Sequence, residues 1–234
     1  MAGLGPPSRS SQLGRRLTVL TIGGTALPVS RILCLGAHSD DIEIGCGGTL
    51  LKLLDDRPGV AVDWVVLSAT GQRRNEAQAG ADGFLRKAGE RSISLLDFRE
   101  RYFPFEGAAI KSYFDDLGAN RSPDLVLSPS LSDAHQDHRT VAEIAAATFR
   151  DHLILQYEIP KYDGDLGQPS VYVRLTSEQA GRKVDLLMET FATQHARPWF
   201  TEETFRSLMR IRGIEAKAPD GYAEAFHCRR LVVS

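Results

Sequence analysis

Ile32-Leu33-Cys34-Leu35-Gly36-Ala37-His38-Ser39-Asp40-Asp41 runs without a break from an apolar segment into a histidine and two adjacent carboxylates. The apolar part is short, is followed by a glycine, and reads as a buried β-strand over 31–36. Packing gives no reason for the polar part, because unpaired charge beside a buried strand is costly. Further along, Leu125-Val126-Leu127 leads in the same way to Asp133-Ala134-His135-Gln136-Asp137-His138. Two clusters rich in His and Asp, each just past a strand, suggest a metal site assembled from two strand-end loops.

Outward from these clusters, strand-like and helix-like segments alternate. Gly45, Gly47 and Gly48 open a helix over 49–54 that Pro58-Gly59 stops. A β-branched run predicts a strand over 60–67, and a 3.6-residue period predicts a helix over 73–89. Then come a short strand over 93–96, a helix over 109–117, a strand over 124–128, a helix over 140–150 and a strand over 153–157. Val184, Leu187, Met188 and Phe191 mark one amphipathic helix whose stripe reads as core, and a strand over 229–233 closes the chain. Such alternation implies an α/β fold, with a mostly parallel central sheet covered by helices on both faces. Ligands of such sheets bind at the carboxyl ends of the strands, where both His/Asp clusters fall.

Composition narrows the function classes. With 234 residues, 42% hydrophobic and 25% charged, the chain suits one soluble domain over 31–234. A net charge of −2 gives no electrostatic footprint for nucleic acid. Three cysteines without CxxC spacing argue against a disulfide framework and against a Cys-based zinc site, and fit a reducing cytoplasm. No apolar run reaches the ~18–20 residues of a membrane span. Residues 1–30 read as a flexible N-terminal extension. Within it, 17–22 follows Arg15-Arg16 but is cut short by Gly23-Gly24, and reads as an extra edge strand or a loose segment rather than an export signal. A homo-oligomer is left open.

His38 and Asp41 are three residues apart, so on a tight turn or a first helical turn both can face one point. Asp40 projects differently and is free to reach a water held there. His135 and His138 share the same spacing, so one can coordinate while the other faces a substrate. A catalytic zinc takes three such ligands and keeps a fourth position open. The plainer alternatives are a helix cap for Asp40 and a partner of loop carbonyls for His135. The glycines form no GxGxxG or Walker pattern, so nothing points to nucleotide phosphate. His195, His227 and His152 lack acidic partners at such spacing and read as packing or surface residues.

Ala37 through Thr49, with His135-Gln136-Asp137-His138-Arg139, Thr70-Gly71, Arg73, Glu76 and Tyr222-Ala223-Glu224-Ala225-Phe226, resembles the PIG-L/LmbE-like metal-dependent deacetylases over about 31–234. The resemblance implies a Rossmann-like three-layer α/β/α fold. It also implies a zinc ion (Fe2+ being the alternative divalent metal) and removal of acetyl from an N-acetylglucosamine-type sugar. Carried over by position, His38, Asp41 and His138 bind the metal and Asp40 is the general base. His135 stabilises the oxyanion or protonates the leaving amine, and Arg73 contacts substrate. Two departures stand out: Ser39 replaces the usual proline, and the acidic residue expected next to the Asp pair is Ile42, with Glu43 one position later. Rival expectations are an amidase for a non-sugar N-acyl amine, or a non-catalytic sugar-binding module. The segments Tyr157–Tyr162 and Gln194–Trp199 carry polar and aromatic groups suited to a polar ligand.

Overall fold

In the computed structural model, residues 29–231 are described. The expected extension up to residue 28, with its strand or loose segment over 17–22, lies outside them. The chain alternates as foreseen: β1 (Arg31–His38), α1 (Asp41–Asp56), β2 (Ala61–Ser68), α2 (Gly71–Phe84), β3 (Arg91–Leu95), α3 (Gly107–Asn120), β4 (Leu125–Pro129) and α4 (Gln136–Thr148). It continues through β5 (Leu153–Tyr157), β6 (Val171–Leu175), α5 (Ser177–Thr190), α6 (Glu202–Glu215) and β7 (Tyr222–Cys228). The strands form one seven-stranded sheet in the order β3-β2-β1-β4-β5-β7-β6. Neighbours from β3 to β5 pair in parallel, while β7 runs antiparallel to both β5 and β6.

Alternation along the central strands builds two cores. Ile32, Cys34, Val62, Trp64, Leu125 and Leu127 point to the face covered by α1, α2, α5 and α6. Leu33, Leu35, Val65 and Val126 point to the other face, under α3 and α4. The amphipathic stripe is core: Val184, Leu187 and Phe191 have no exposed surface.

Several boundaries differ from the sequence reading, for identifiable reasons. β1 runs on to His38, so the histidine ends the strand instead of following it. α1 begins at Asp41 and takes the glycines into its interior. A Cβ on Gly45 would lie 2.1 Å from the Tyr157 ring, and one on Gly47 would lie 2.5 Å from Phe84. Those glycines serve close packing, not helix initiation. β6 and α6 were not anticipated. The closing strand is Tyr222–Cys228, not 229–233; residues 229–231 are irregular, and 232–234 lie outside the described residues. What masks this strand in the sequence is Glu224. Its carboxylate is buried, where it accepts the Gly48 and Thr49 N–H groups and pairs with Lys183 Nζ at 2.6 Å.

Gly45→Ala is expected to destabilise the fold by about 1–3 kcal/mol, because the ring it meets is enclosed. Gly107→Ala, with nothing within 4 Å of the added carbon, should be neutral or stabilising. Urea unfolding midpoints of the two variants check this; equal midpoints would show that α1 does not need the close approach.

Candidate metal centre

The strand order reverses between β1 and β4: the chain leaves β1 toward β2 on one side and returns through α3 to β4 on the other. This is where parallel sheets open a crevice for ligands. His38 ends β1, and its main-chain N–H donates to Asp41 Oδ2 at 2.7 Å, which turns the first carboxylate of α1 back toward the strand end. On the β4 side, Asp133 Oδ1 accepts the His135 N–H at 2.8 Å and holds the turn into α4. His135 is the N-cap of α4, its Nδ1 accepting the Asp137 N–H, and His138 stands in the first turn. The cap expected of Asp40 is thus made at the other cluster by His135, whose ring meets an N–H group rather than the loop carbonyl expected of it. Asp40 occupies the N-cap of α1 but makes no side-chain cap.

Three of the expected ligand atoms converge. His38 Nδ1 and His138 Nε2 are 3.1 Å apart, and Asp41 Oδ2 lies 3.6 Å from the first and 3.4 Å from the second. Tetrahedral zinc with ligands at ~2.0–2.1 Å has edges of about 3.3 Å, so the triangle has the size such an ion requires. The outer ring nitrogens explain the convergence: His38 Nε2 faces Asp137 Oδ2 at 3.1 Å, and His138 Nδ1 faces Asp133 Oδ2 at 2.9 Å. With a metal at the inner nitrogens, each ring would be neutral and would give its outer hydrogen to the carboxylate behind it. Both inner nitrogens are then left as lone pairs, facing each other and a carboxylate oxygen. Three lone-pair donors at this spacing call for a cation among them, so the donor set fits a divalent metal. His38, His135 and His138 can also be grouped as a metal-holding triad, with one nitrogen of each within 4.8 Å of the others.

The same carboxylates favour positive charge on the two rings when no metal competes for their lone pairs. Burial works against charge on His38, but Asp41 and the bonds to Asp137 and Asp41 outweigh it and raise the imidazole to about 10. Burial likewise opposes charge on His138, and Asp41 and Asp133 lift it to about 9. Asp41, despite burial, is held well below the usual carboxylate range by His138 and His38. His135 moves the other way, lowered by burial and by the charge of its two histidine neighbours.

Asp40 lies in a different network. Arg73 Nη2 bonds its Oδ1 at 2.6 Å, and Arg73 also meets Glu76 at 3.3 Å. Glu76 in turn accepts the Thr193 N–H at 2.9 Å and the Thr193 hydroxyl at 2.6 Å. Burial pushes the Asp40 carboxyl up, Arg73 pulls it down, Asp41 pushes it up again, and the net direction is upward. Arg73, expected to face substrate, is therefore engaged with Asp40. Ser39 is buried, with Oγ 3.5 Å from the Ser68 carbonyl. Ile42 is core; Glu43 is fully buried, both its oxygens lack a hydrogen-bond partner among the described residues, and burial pushes its carboxyl well up. Gly80 makes room for it, since a Cβ there would lie 2.2 Å from Glu43 Oε1.

Sequence reasoning brought together every residue it named at this centre but missed the partners behind them. Asp133 and Asp137 stood within the quoted motif, and their spacing from His138 and His38 was the available signal. Lys161, 3.0 Å from Asp133 Oδ2 and 2.7 Å from Asp165, was legible only as part of a loop. Of the two segments read as ligand loops, Tyr157–Tyr162 is largely structural at its start: Tyr157 is buried and donates to the Leu35 carbonyl at 2.6 Å, and Glu158 pairs with Arg212. His195 bonds the Met188 carbonyl and takes no part in the centre.

Residues 33–149 match the family model described as PIG-L: GlcNAc-PI de-N-acetylase. The uncharacterized deacetylase YaiS of Escherichia coli is 30% identical over 145 residues, 55% of this chain and 74% of that protein. A diacetylchitobiose deacetylase of Thermococcus kodakarensis is 29% identical over 125 residues; the match covers 47% of this chain and only 46% of that longer protein. In fold, the N,N'-diacetylchitobiose deacetylase of Pyrococcus horikoshii superposes with a TM-score of 0.67 at 22% identity, over 86% of this chain and 84% of the other.

Because a carboxylate behind a ligand histidine typically changes metal affinity by roughly 10–100-fold, Asp133→Ala should weaken divalent-metal binding by that order in chelator competition. Unchanged affinity would mean that His138 is oriented by something else.

Proposed function

The chain belongs to the PIG-L family of GlcNAc-PI de-N-acetylase-like proteins, and from that membership we propose a metal-dependent amide hydrolase that removes the N-acetyl group of an N-acetylglucosamine-type sugar or glycoconjugate. The observation carrying this reading is the meeting of two imidazole nitrogens and one carboxylate oxygen beside a second carboxylate whose basicity is raised. His38, Asp41 and His138 would hold the ion. Their mutual spacing of 3.1–3.6 Å favours this set over the three histidines, which are grouped only within 4.8 Å. Two imidazoles with one carboxylate are a zinc donor set of the catalytic kind. When bound, such an ion polarises the amide carbonyl and lowers the pKa of water.

The remaining chemistry falls to side chains of the chain itself. Asp40 takes a proton from the attacking water, with Arg73 and Glu76 fixing its orientation. The same carboxylate can then return that proton to the departing amine. His135 receives an N–H at Nδ1, so its own hydrogen sits on Nε2. A neutral imidazole in that tautomer donates to a developing oxyanion, which makes oxyanion stabilisation the better of its two expected roles. With its guanidinium occupied by Asp40 and Glu76, Arg73 reaches substrate only at its remaining exposed edge. The sugar half of the reading draws on relatives named for diacetylchitobiose.

Acetate release measured across N-acetyl amino sugars and N-acyl amino acids tests the substrate class. Release from the sugars is expected, and release only from N-acyl amino acids would replace the sugar reading with a general amidase. Asp40→Asn should keep its metal and lose roughly 10²–10⁴-fold in turnover, whereas His138→Ala should lose the metal as well, as elemental analysis of purified protein will show. A fully active Asp40→Asn enzyme would remove Asp40 from the base role.

A further inference from the structure

The two carboxylates behind the ligand histidines have different partners. Asp137, facing His38 Nε2, accepts the Arg101 and Phe103 N–H groups at 2.5 and 3.2 Å. Asp133 accepts the His135 N–H at Oδ1. Its Oδ2, the oxygen 2.9 Å from His138 Nδ1, also lies 3.0 Å from Lys161 Nζ. A full positive charge thus shares one oxygen with the His138 ring, whereas a main-chain N–H group fills that place at His38.

Lys161 stands in the loop between β5 and β6 with its side chain only 10% exposed, and a buried ammonium is costly unless it is paired. Asp165, four residues on, supplies the pairing with both oxygens, at 2.8 and 2.7 Å. Asp165 Oδ2 also accepts the Ala134 N–H at 2.6 Å, next to Asp133 in the chain. Asp165 therefore divides the ammonium between two carboxylates and fixes it beside Asp133. A carboxylate that accepts from a ligand histidine raises the basicity of that ring. An ammonium on the same oxygen draws on the same lone pairs and lessens the effect.

We infer that Lys161 is a positioning residue that limits how strongly His138 donates to a metal, with Asp165 setting the strength of that restraint. The inference rests on the metal-hydrolase reading and concerns the tuning of its site. Lys161 acts through Asp133 and not on the reacting atoms. With the lysine in place, His138 is a weaker donor than His38, whose carboxylate is met by main-chain dipoles. A weaker donor leaves a bound ion more able to polarise an amide carbonyl, so Lys161 favours turnover over tight retention of metal. The sign separates this role from mere support. Removing a lysine that only braced the loop would weaken metal binding, whereas removing one that restrains His138 strengthens it.

Zinc affinity of the full chain, read by chelator competition, tests this in two directions. Lys161→Met should bind zinc roughly three- to tenfold more tightly than wild type, and its kcat for acetate release should fall by a similar factor. In an Asp133→Asn background the gain in affinity from Lys161→Met should vanish, because no carboxylate is left to transmit it. Asp165→Asn releases the ammonium to Asp133 and should weaken zinc binding by a similar factor; it decides the matter if Lys161→Met does not fold. An affinity that stays at the wild-type value or moves the other way in either variant, or a gain that survives without Asp133, would overturn the inference. Elemental analysis of wild type separates this from the underlying reading. A wild type that holds no divalent metal removes the metal centre and the inference together. A wild type that binds zinc but releases no acetate from any N-acetyl substrate removes the hydrolase reading, while the order of affinities still decides the role of Lys161.

Discussion

The whole centre depends on one arrangement: two imidazole lone pairs and the Oδ2 of Asp41 aimed at a common point. Lone pairs at that spacing repel, and what keeps them together is a set of bonds made behind them. Asp137 and Asp133 hold the outer ring nitrogens, and the His38 N–H holds Asp41. The fold supplies these constraints from both sides of the β1–β4 junction, and each would be of little use without the other. Charge is divided accordingly. Asp41 is held strongly anionic among the ligands, while Asp40, one residue earlier, is turned toward Arg73 and kept more basic.

That division reaches far from the strand ends. Thr193, beyond α5, secures Glu76; Glu76 steadies Arg73; and Arg73 orients Asp40. The first turn of α1 also carries Glu43 inward, where burial favours its neutral form over a third carboxylate charge near the pair. The glycines of α1 let Tyr157 and Phe84 close over the helix that delivers Asp41. Packing and electrostatics therefore converge on a single helix.

Much of this was legible in the sequence. The His38–Asp41 and His135–His138 spacings located the centre, and the alternation of apolar runs gave the layered sheet and its ligand-binding edge. The rest was hidden for physical reasons. Glycines that allow close contact look the same as glycines that start a helix, so α1 was read eight residues short at its beginning. β7 was missed because a buried Glu224 looks like a surface charge until Lys183 and two backbone N–H groups are found around it. The pairing of Arg73 with Asp40 was hidden because it spans 33 residues of sequence and no local pattern records it. β6 and α6 both pack against β7, a tertiary partner that no local pattern records.

X-ray absorption spectroscopy of the metal-loaded protein tests the central claim most directly, because it counts the imidazoles around the ion. Two imidazoles with oxygen donors are expected from a centre of His38, Asp41 and His138. Three imidazoles in the wild type would put His135 among the ligands, free Asp41 from the ion, and contradict the assignment.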